Sequence, residues 1–148
     1  MKLTLRSLAR PLAPIVGLLV ALAGAPARAD EPSLYQRLGG EPVVTRVVAQ
    51  TIDRIAADPA ANQSLDGVNL AKLDAKIVVQ ICALAGGGCT YTGEDMKTAH
   101  DGMNIRQREF YALVEALRAA LDDNGVGERE KNELLRLLAP MKRDVVSR

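Results

Sequence analysis

Between residues 40 and 140 the apolar residues recur at intervals of three and four, a spacing that fits helices and little else. Val44, Val47, Val48, Ile52 and Ile55 form one stripe, and Leu70, Leu73, Ile77, Ile81 and Leu84 a second. Phe110, Leu113, Val114, Leu117 and Leu121 form a third, followed by the leucine-rich run Leu134, Leu135, Leu137 and Leu138. No stretch alternates apolar with polar residues as a half-buried strand does, and there is no repeat or low-complexity segment. The expected class is all-α.

The residues between the stripes set the helix ends. Ser33 is placed to cap a short first helix that stops at Gly39-Gly40, and Glu41-Pro42 opens a second that runs to Ala57 before Asp58-Pro59. Asn62 to Asn69 reads as a loop containing Leu65, with Asn69 capping a third helix over 70–84 that Gly86-Gly87-Gly88 ends. The glycine run lacks the Lys-Ser/Thr of a phosphate loop and reads as a plain connection. Thr92 and Asp95 form a weak capping box that starts a short helix near Gly93, ending about Gly102. A long helix over 106–123 stops at Asn124-Gly125, and the last, over 128–139, is kinked or broken by Pro140.

At 148 residues the chain has one-domain length. Its 48% hydrophobic content with only 3% aromatic calls for a core of Leu, Val, Ile and Ala. Lys2, Arg6 and Arg10 precede an apolar run from Ala13 to Gly24 and then Ala27-Arg28-Ala29, the pattern of a secretory signal cleaved after Ala29. The run is shorter than the roughly 20 residues of a spanning helix, which disfavours an uncleaved anchor. The expected division is a signal peptide over 1–29 and a domain over 30–148, with a secreted or periplasmic location and no membrane span after signal removal. Four of the nineteen basic residues lie in the signal, so fifteen face eighteen acids in the remainder. That mildly acidic balance argues against a nucleic-acid partner, which wants a basic footprint.

His100 is the only histidine. Zinc and copper need three or four protein ligands, and beyond His100 the soft donors are only Cys82 and Cys89. Haem needs as few as one axial ligand, commonly a histidine, because the porphyrin supplies the rest. Against this stands the ordinary histidine on a helix surface. Met96 and His100, four apart, share a helix face, Met103 follows just past Gly102, and Lys97 lies beside that face. In an oxidising compartment Cys82 and Cys89 are expected to pair, the alternatives being free thiols or a redox-switching pair. Covalent haem attachment of the cytochrome type is not indicated, since Cys-x-x-Cys-His is missing.

Leu34-Tyr35-Gln36-Arg37-Leu38-Gly39-Gly40, Gly86-Gly87, Tyr91-Thr92-Gly93, Met96-Lys97, His100 with Gly102 and Ile105, and Ala139-Pro140 before Asp144-Val145-Val146 together resemble a group I truncated haemoglobin over nearly the whole chain after residue 32. The resemblance implies a two-over-two helical sandwich around haem b. His100 would be the proximal iron ligand, and Lys76 and Lys97 would approach the propionates. Ile52, Leu65, Leu73, Ile77, Met96, Met103, Ile105, Phe110 and Val114 would line the pocket. Group I members usually place a tyrosine on the second helix, polar residues on the third and a phenylalanine in the loop between. Here the matching positions are Ile52, Leu73 with Ile77, and Leu65, so the distal wall would be apolar. Gln80, one turn beyond Ile77, either reaches inward as a donor or faces solvent from the helix flank.

Three functions follow from the resemblance. The first is an exported haem globin that binds a diatomic gas, as carrier, sensor or scavenger, with a redox partner left open. The second is a haem enzyme of the same fold, a nitric oxide dioxygenase or peroxidase, for which the polar distal groups such chemistry uses are missing. The third is a haem-free interaction protein of globin shape.

Overall fold

The computed structural model describes residues 31–147, so the expected signal over residues 1–29 lies outside the described residues. Seven α-helices follow in order: α1 (Leu34–Arg37), α2 (Gly40–Ala57), α3 (Leu70–Leu84), α4 (Met96–Ala99), α5 (Gln107–Asp123), α6 (Glu128–Leu138) and α7 (Lys142–Val145). Two 3-10 turns, Asn62–Leu65 and Ala139–Met141, complete the described residues, which contain no strand.

Local chemistry sets most of these boundaries. Ser33 Oγ accepts from the Gln36 amide at 3.3 Å while the Gln36 side chain accepts from the Ser33 amide at 3.0 Å, a reciprocal cap on α1. Asn69 Oδ1 accepts from the Lys72 amide at 3.0 Å and starts α3 where expected. At Gly39, with φ +100°, a β-carbon would run into the Val43 side chain, so the tight passage from α1 into α2 needs glycine on both counts. One stretch differs from expectation: the 62–69 loop contains a 3-10 turn through Leu65. At Pro140 the last helix breaks as expected, through a 3-10 turn, after which the chain resumes helix as α7.

The core forms around α2, which packs most extensively against α5 and α3. Val44, Val47, Val48 and Ile52 on α2 join Ile81 of α3, Leu117, Ala120 and Leu121 of α5, Leu134 of α6 and Leu34 of α1 in one cluster. Ala120 is fully buried, and its small side chain keeps α5 close to α2. Thr51 is buried in the same helix because its hydroxyl donates to the Val47 carbonyl at 2.7 Å, leaving no orphaned donor. Lys131 is buried too, its ammonium held at 2.5 Å by both Asp122 and Glu128.

The first and last helices of the described residues are tied in by polar contacts. Arg37 of α1 pairs with Glu130 at 3.3 Å and with Glu133, both on α6. The Tyr35 amide donates to the Ala85 carbonyl at 2.9 Å, fastening α1 to the end of α3, and burial pushes the Tyr35 phenol up, with the Glu41 charge adding to it. At the other end α7 packs against α4, and the Ser147 amide donates to the Ile105 carbonyl at 2.9 Å. Lys142 of α7 donates to the Tyr111 hydroxyl at 2.8 Å and lies 4.5 Å from its ring centre. That hydrogen bond, with the ammonium charge and a further donor from Gln107, pulls the Tyr111 phenol below its usual range.

Cys82 and Cys89 are joined in a disulfide, Cα to Cα 5.6 Å, which closes the turn after α3. Between them the Gly87 amide donates to the Cys82 carbonyl at 2.7 Å. A β-carbon on Gly87 would stand 2.6 Å from both Cys82 Sγ and the Tyr35 ring, so only glycine lets the loop pass over the sulfur.

Candidate functional site

His100 sits at the C-terminal cap of α4, a single turn whose N-terminus is set by Asp95. Asp95 Oδ1 accepts from the Thr98 amide at 3.0 Å and Oδ2 from the Thr98 hydroxyl at 2.8 Å. Those bonds, the backbone one foremost, hold the Asp95 carboxyl below the usual carboxylate range. The Thr92–Asp95 box expected from the sequence does not form, and the helix starts three residues later than expected because Asp95 itself is the cap.

The Met96 carbonyl receives two donors from His100, the backbone amide at 3.2 Å and ring Nδ1 at 2.7 Å. A carbonyl only accepts, so Nδ1 carries a proton, and in the neutral ring Nε2 is then the nitrogen with the lone pair. A histidine that ligates a metal through one nitrogen typically anchors the other in this way, which fixes its tautomer and ring orientation. Beyond the ring the chain reverses through Gly102 and Asn104, at φ +75° and +52°, with the Asn104 amide donating to the Gly102 carbonyl at 3.0 Å.

The remaining expected site residues divide into those gathered together and those placed apart. Ile52 is buried in the main core, and Leu65, Leu73 and Ile77 pack half-buried against the same cluster, so the four positions matched to the distal wall form one apolar surface. Leu65 also touches the small second cluster of Ile55, Ala61 and Ala116. Ile105 is buried, and Phe110 and Val114 are half-buried on α5, with Phe110 edge-on to Tyr111. Met103 is exposed past the turn. Lys76 and Lys97 are exposed and make no ion pair among the described residues. Of the two alternatives for Gln80, the side chain acts as a donor, toward another residue of the chain. It is half-buried, and its amide donates to Met96 Sδ at 3.5 Å, linking α3 to α4. Sequence reasoning missed that link, and the Asp95-x-x-Thr98 spacing was the available sign of the true cap.

A profile of the bacterial-like globins matches residues 33–147. A group 1 truncated haemoglobin of Mycolicibacterium paratuberculosis is 31% identical over 120 residues, which cover 81% of this chain and 88% of that protein. The chain belongs to the bacterial-like globins, among the group 1 truncated haemoglobins. The solved truncated haemoglobin of Tetrahymena pyriformis in its Fe(III) form superposes on this globin with a TM-score of 0.74 at 26% identity, covering 79% of this chain and all of that one. The haemoglobin of Chloroflexus aurantiacus does so at 0.70 and 26% identity, covering 80% of this chain and 100% of that one. The helical arrangement is therefore that of the two-over-two globins.

Membership in this family implies a haem, and the residues present fit one. The donor set is a single imidazole with Nδ1 tied back and Nε2 free of hydrogen bonds among the described residues. Of the aliphatic side chains matched to the pocket, Leu65, Leu73, Ile77 and Val114 stop at half burial, so part of their apolar surface has no protein neighbour among the described residues, while Ile52 and Ile105 are already buried.

Proposed function

We propose that this globin holds haem b through His100 Nε2 and takes a diatomic gas against an apolar distal wall, in an exported setting. The observation that supports the reading is the 2.7 Å contact from His100 Nδ1 to the Met96 carbonyl, which in the neutral ring leaves Nε2 of the only imidazole of the chain available to an iron. When bound, haem supplies the iron at which the gas is taken. The chain supplies the ring that holds it, the aliphatic walls that exclude water, and Lys76 and Lys97, unpaired among the described residues, as cations for the propionates.

Ile52, Leu65, Leu73 and Ile77 offer no side-chain hydrogen-bond donor to a ligand. Such a donor to a partly charged ligand contributes roughly 1.5–3 kcal/mol, so oxygen should be held about ten- to a hundredfold less tightly than in a globin that has one. Carbon monoxide and nitric oxide, which lean less on a donor, should be affected less. Export accords with the Cys82–Cys89 disulfide, since such bonds persist in oxidising compartments.

Absorption spectra of the haem-loaded chain in ferric, ferrous and CO-bound states test the reading. A histidine-ligated spectrum that is lost in His100→Ala is expected; a chain that stays colourless with haem, or a variant with an unaltered spectrum, would refute it. Ile52→Tyr should slow oxygen dissociation. For export, mass analysis of protein recovered outside the cytoplasm should find a chain that starts at Asp30.

A further inference from the structure

His100 is held by the Met96 carbonyl, and the other end of Met96 is held from a different helix. The Gln80 amide nitrogen of α3 reaches Met96 Sδ at 3.5 Å, within hydrogen-bonding range for sulfur. Two residues further along α3, Cys82 is bridged to Cys89 in the loop that leads to α4. The connection from α3 to α4 is therefore fastened twice, once by a covalent bond and once by the Gln80 amide. α4 is only one turn long, too short to hold its own geometry without outside contacts.

We propose that Gln80 is a positioning residue for His100, acting through Met96. Its donor fixes the Met96 side chain, and with it the carbonyl that orients the imidazole through Nδ1. The inference rests on the haem reading for its purpose but not for its geometry, because the contacts lie wholly within the chain.

Two variants separate the donor from the packing around it. Gln80→Glu keeps the shape and, when ionised, removes the donor; Met96→Leu removes the sulfur and keeps the carbonyl. Since the chain has one histidine, imidazole NMR signals of the full chain labelled with 15N-histidine report on His100 alone. Without haem, exchange of the Nδ1 proton should be about fivefold faster in either variant than in wild type, the scale set by one ordinary hydrogen bond. With haem, the ferrous iron–histidine stretching band should shift in both. The Gln80→Glu/Met96→Leu double variant should show no more than the larger single effect, since both break one link. Unchanged proton exchange in both folded single variants, or additive effects in the double, would overturn the proposal. A wild-type chain that takes up no haem would instead overturn the haem reading, leaving the exchange measurement to decide the role of Gln80.

Discussion

Where α2, α5 and α6 meet, Val47, Val48, Ala120, Leu121 and Leu134 are each 2% exposed or less, whereas Leu65 before α3 and Leu73 and Ile77 on α3 remain half-buried. Both regions draw on aliphatic side chains. They differ in how far protein covers them: the first is almost wholly buried, and the second leaves part of its apolar surface uncovered among the described residues. With Phe110 the only phenylalanine and no tryptophan in the chain, few bulky side chains are available to cover it. The two regions should respond differently to perturbation, the first as the folding core and the second, on the haem reading, as the wall of the site.

The largest effect should come from the buried side. Leu134→Ala removes a side chain that is 1% exposed and should lower unfolding stability by about 2–5 kcal/mol, read by denaturant titration with or without haem; a much smaller loss would mean that this seam is not the folding core. Haem should act on the other side. At a hundredfold excess over its dissociation constant it should add about 2.7 kcal/mol, and hydrogen exchange should show new protection in α3 and α4 before α2 and α5. Protection gained equally everywhere would erase the contrast. Replacing both Cys82 and Cys89 with alanine should cost roughly 2 kcal/mol, as expected for a short closed loop, and should loosen the same side preferentially. Asn69→Ala removes the cap of α3 and should cost about 1 kcal/mol, again visible first in α3.

The smallest effect sharpens the comparison through pH. Asp74 on α3 has one buried carboxylate oxygen that no group among the described residues donates to. Burial, with the Asp53 charge of α2 adding to it, pushes its carboxyl above the ordinary carboxylate range. The folded chain therefore binds this proton more tightly than the unfolded chain. The stability it contributes is fully present below the unfolded pKa and is lost as pH rises through the folded one. Asp74→Asn should gain stability at neutral pH relative to wild type and flatten that part of the pH profile; a profile identical to wild type would show that Asp74 is solvated.

The long helices were the more legible in the sequence. The stripes on α2, α3 and α5 carry the 3.6-residue period over four or more turns, and local caps at Ser33 and Asn69 fall where side-chain chemistry puts them. The site side was legible only in part. His100 could be singled out because it is the only imidazole, and the pairing of Cys82 with Cys89 was expected on the supposition of an oxidising compartment. The start of α4 could not be placed, because a single turn has no periodicity and two acceptors, Thr92 and Asp95, competed for the cap. The direction of Gln80 was open for a different reason: its partner Met96 lies sixteen residues away across a loop, and helical spacing says nothing about such contacts. The recovery of helix after Pro140 depended likewise on packing of α7 against α4.

The contact between Lys142 and Tyr111 gives the molecule an optical handle. The chain has three tyrosines and no tryptophan, so its near-ultraviolet absorbance in the haem-free state is tyrosine absorbance. During an alkaline titration the phenol beside Lys142 should ionise ahead of the one on α1, whose proton is retained by burial. The early step of the curve then becomes a gauge of whether the C-terminal helix is still seated, and the late step of whether the N-terminal turn is.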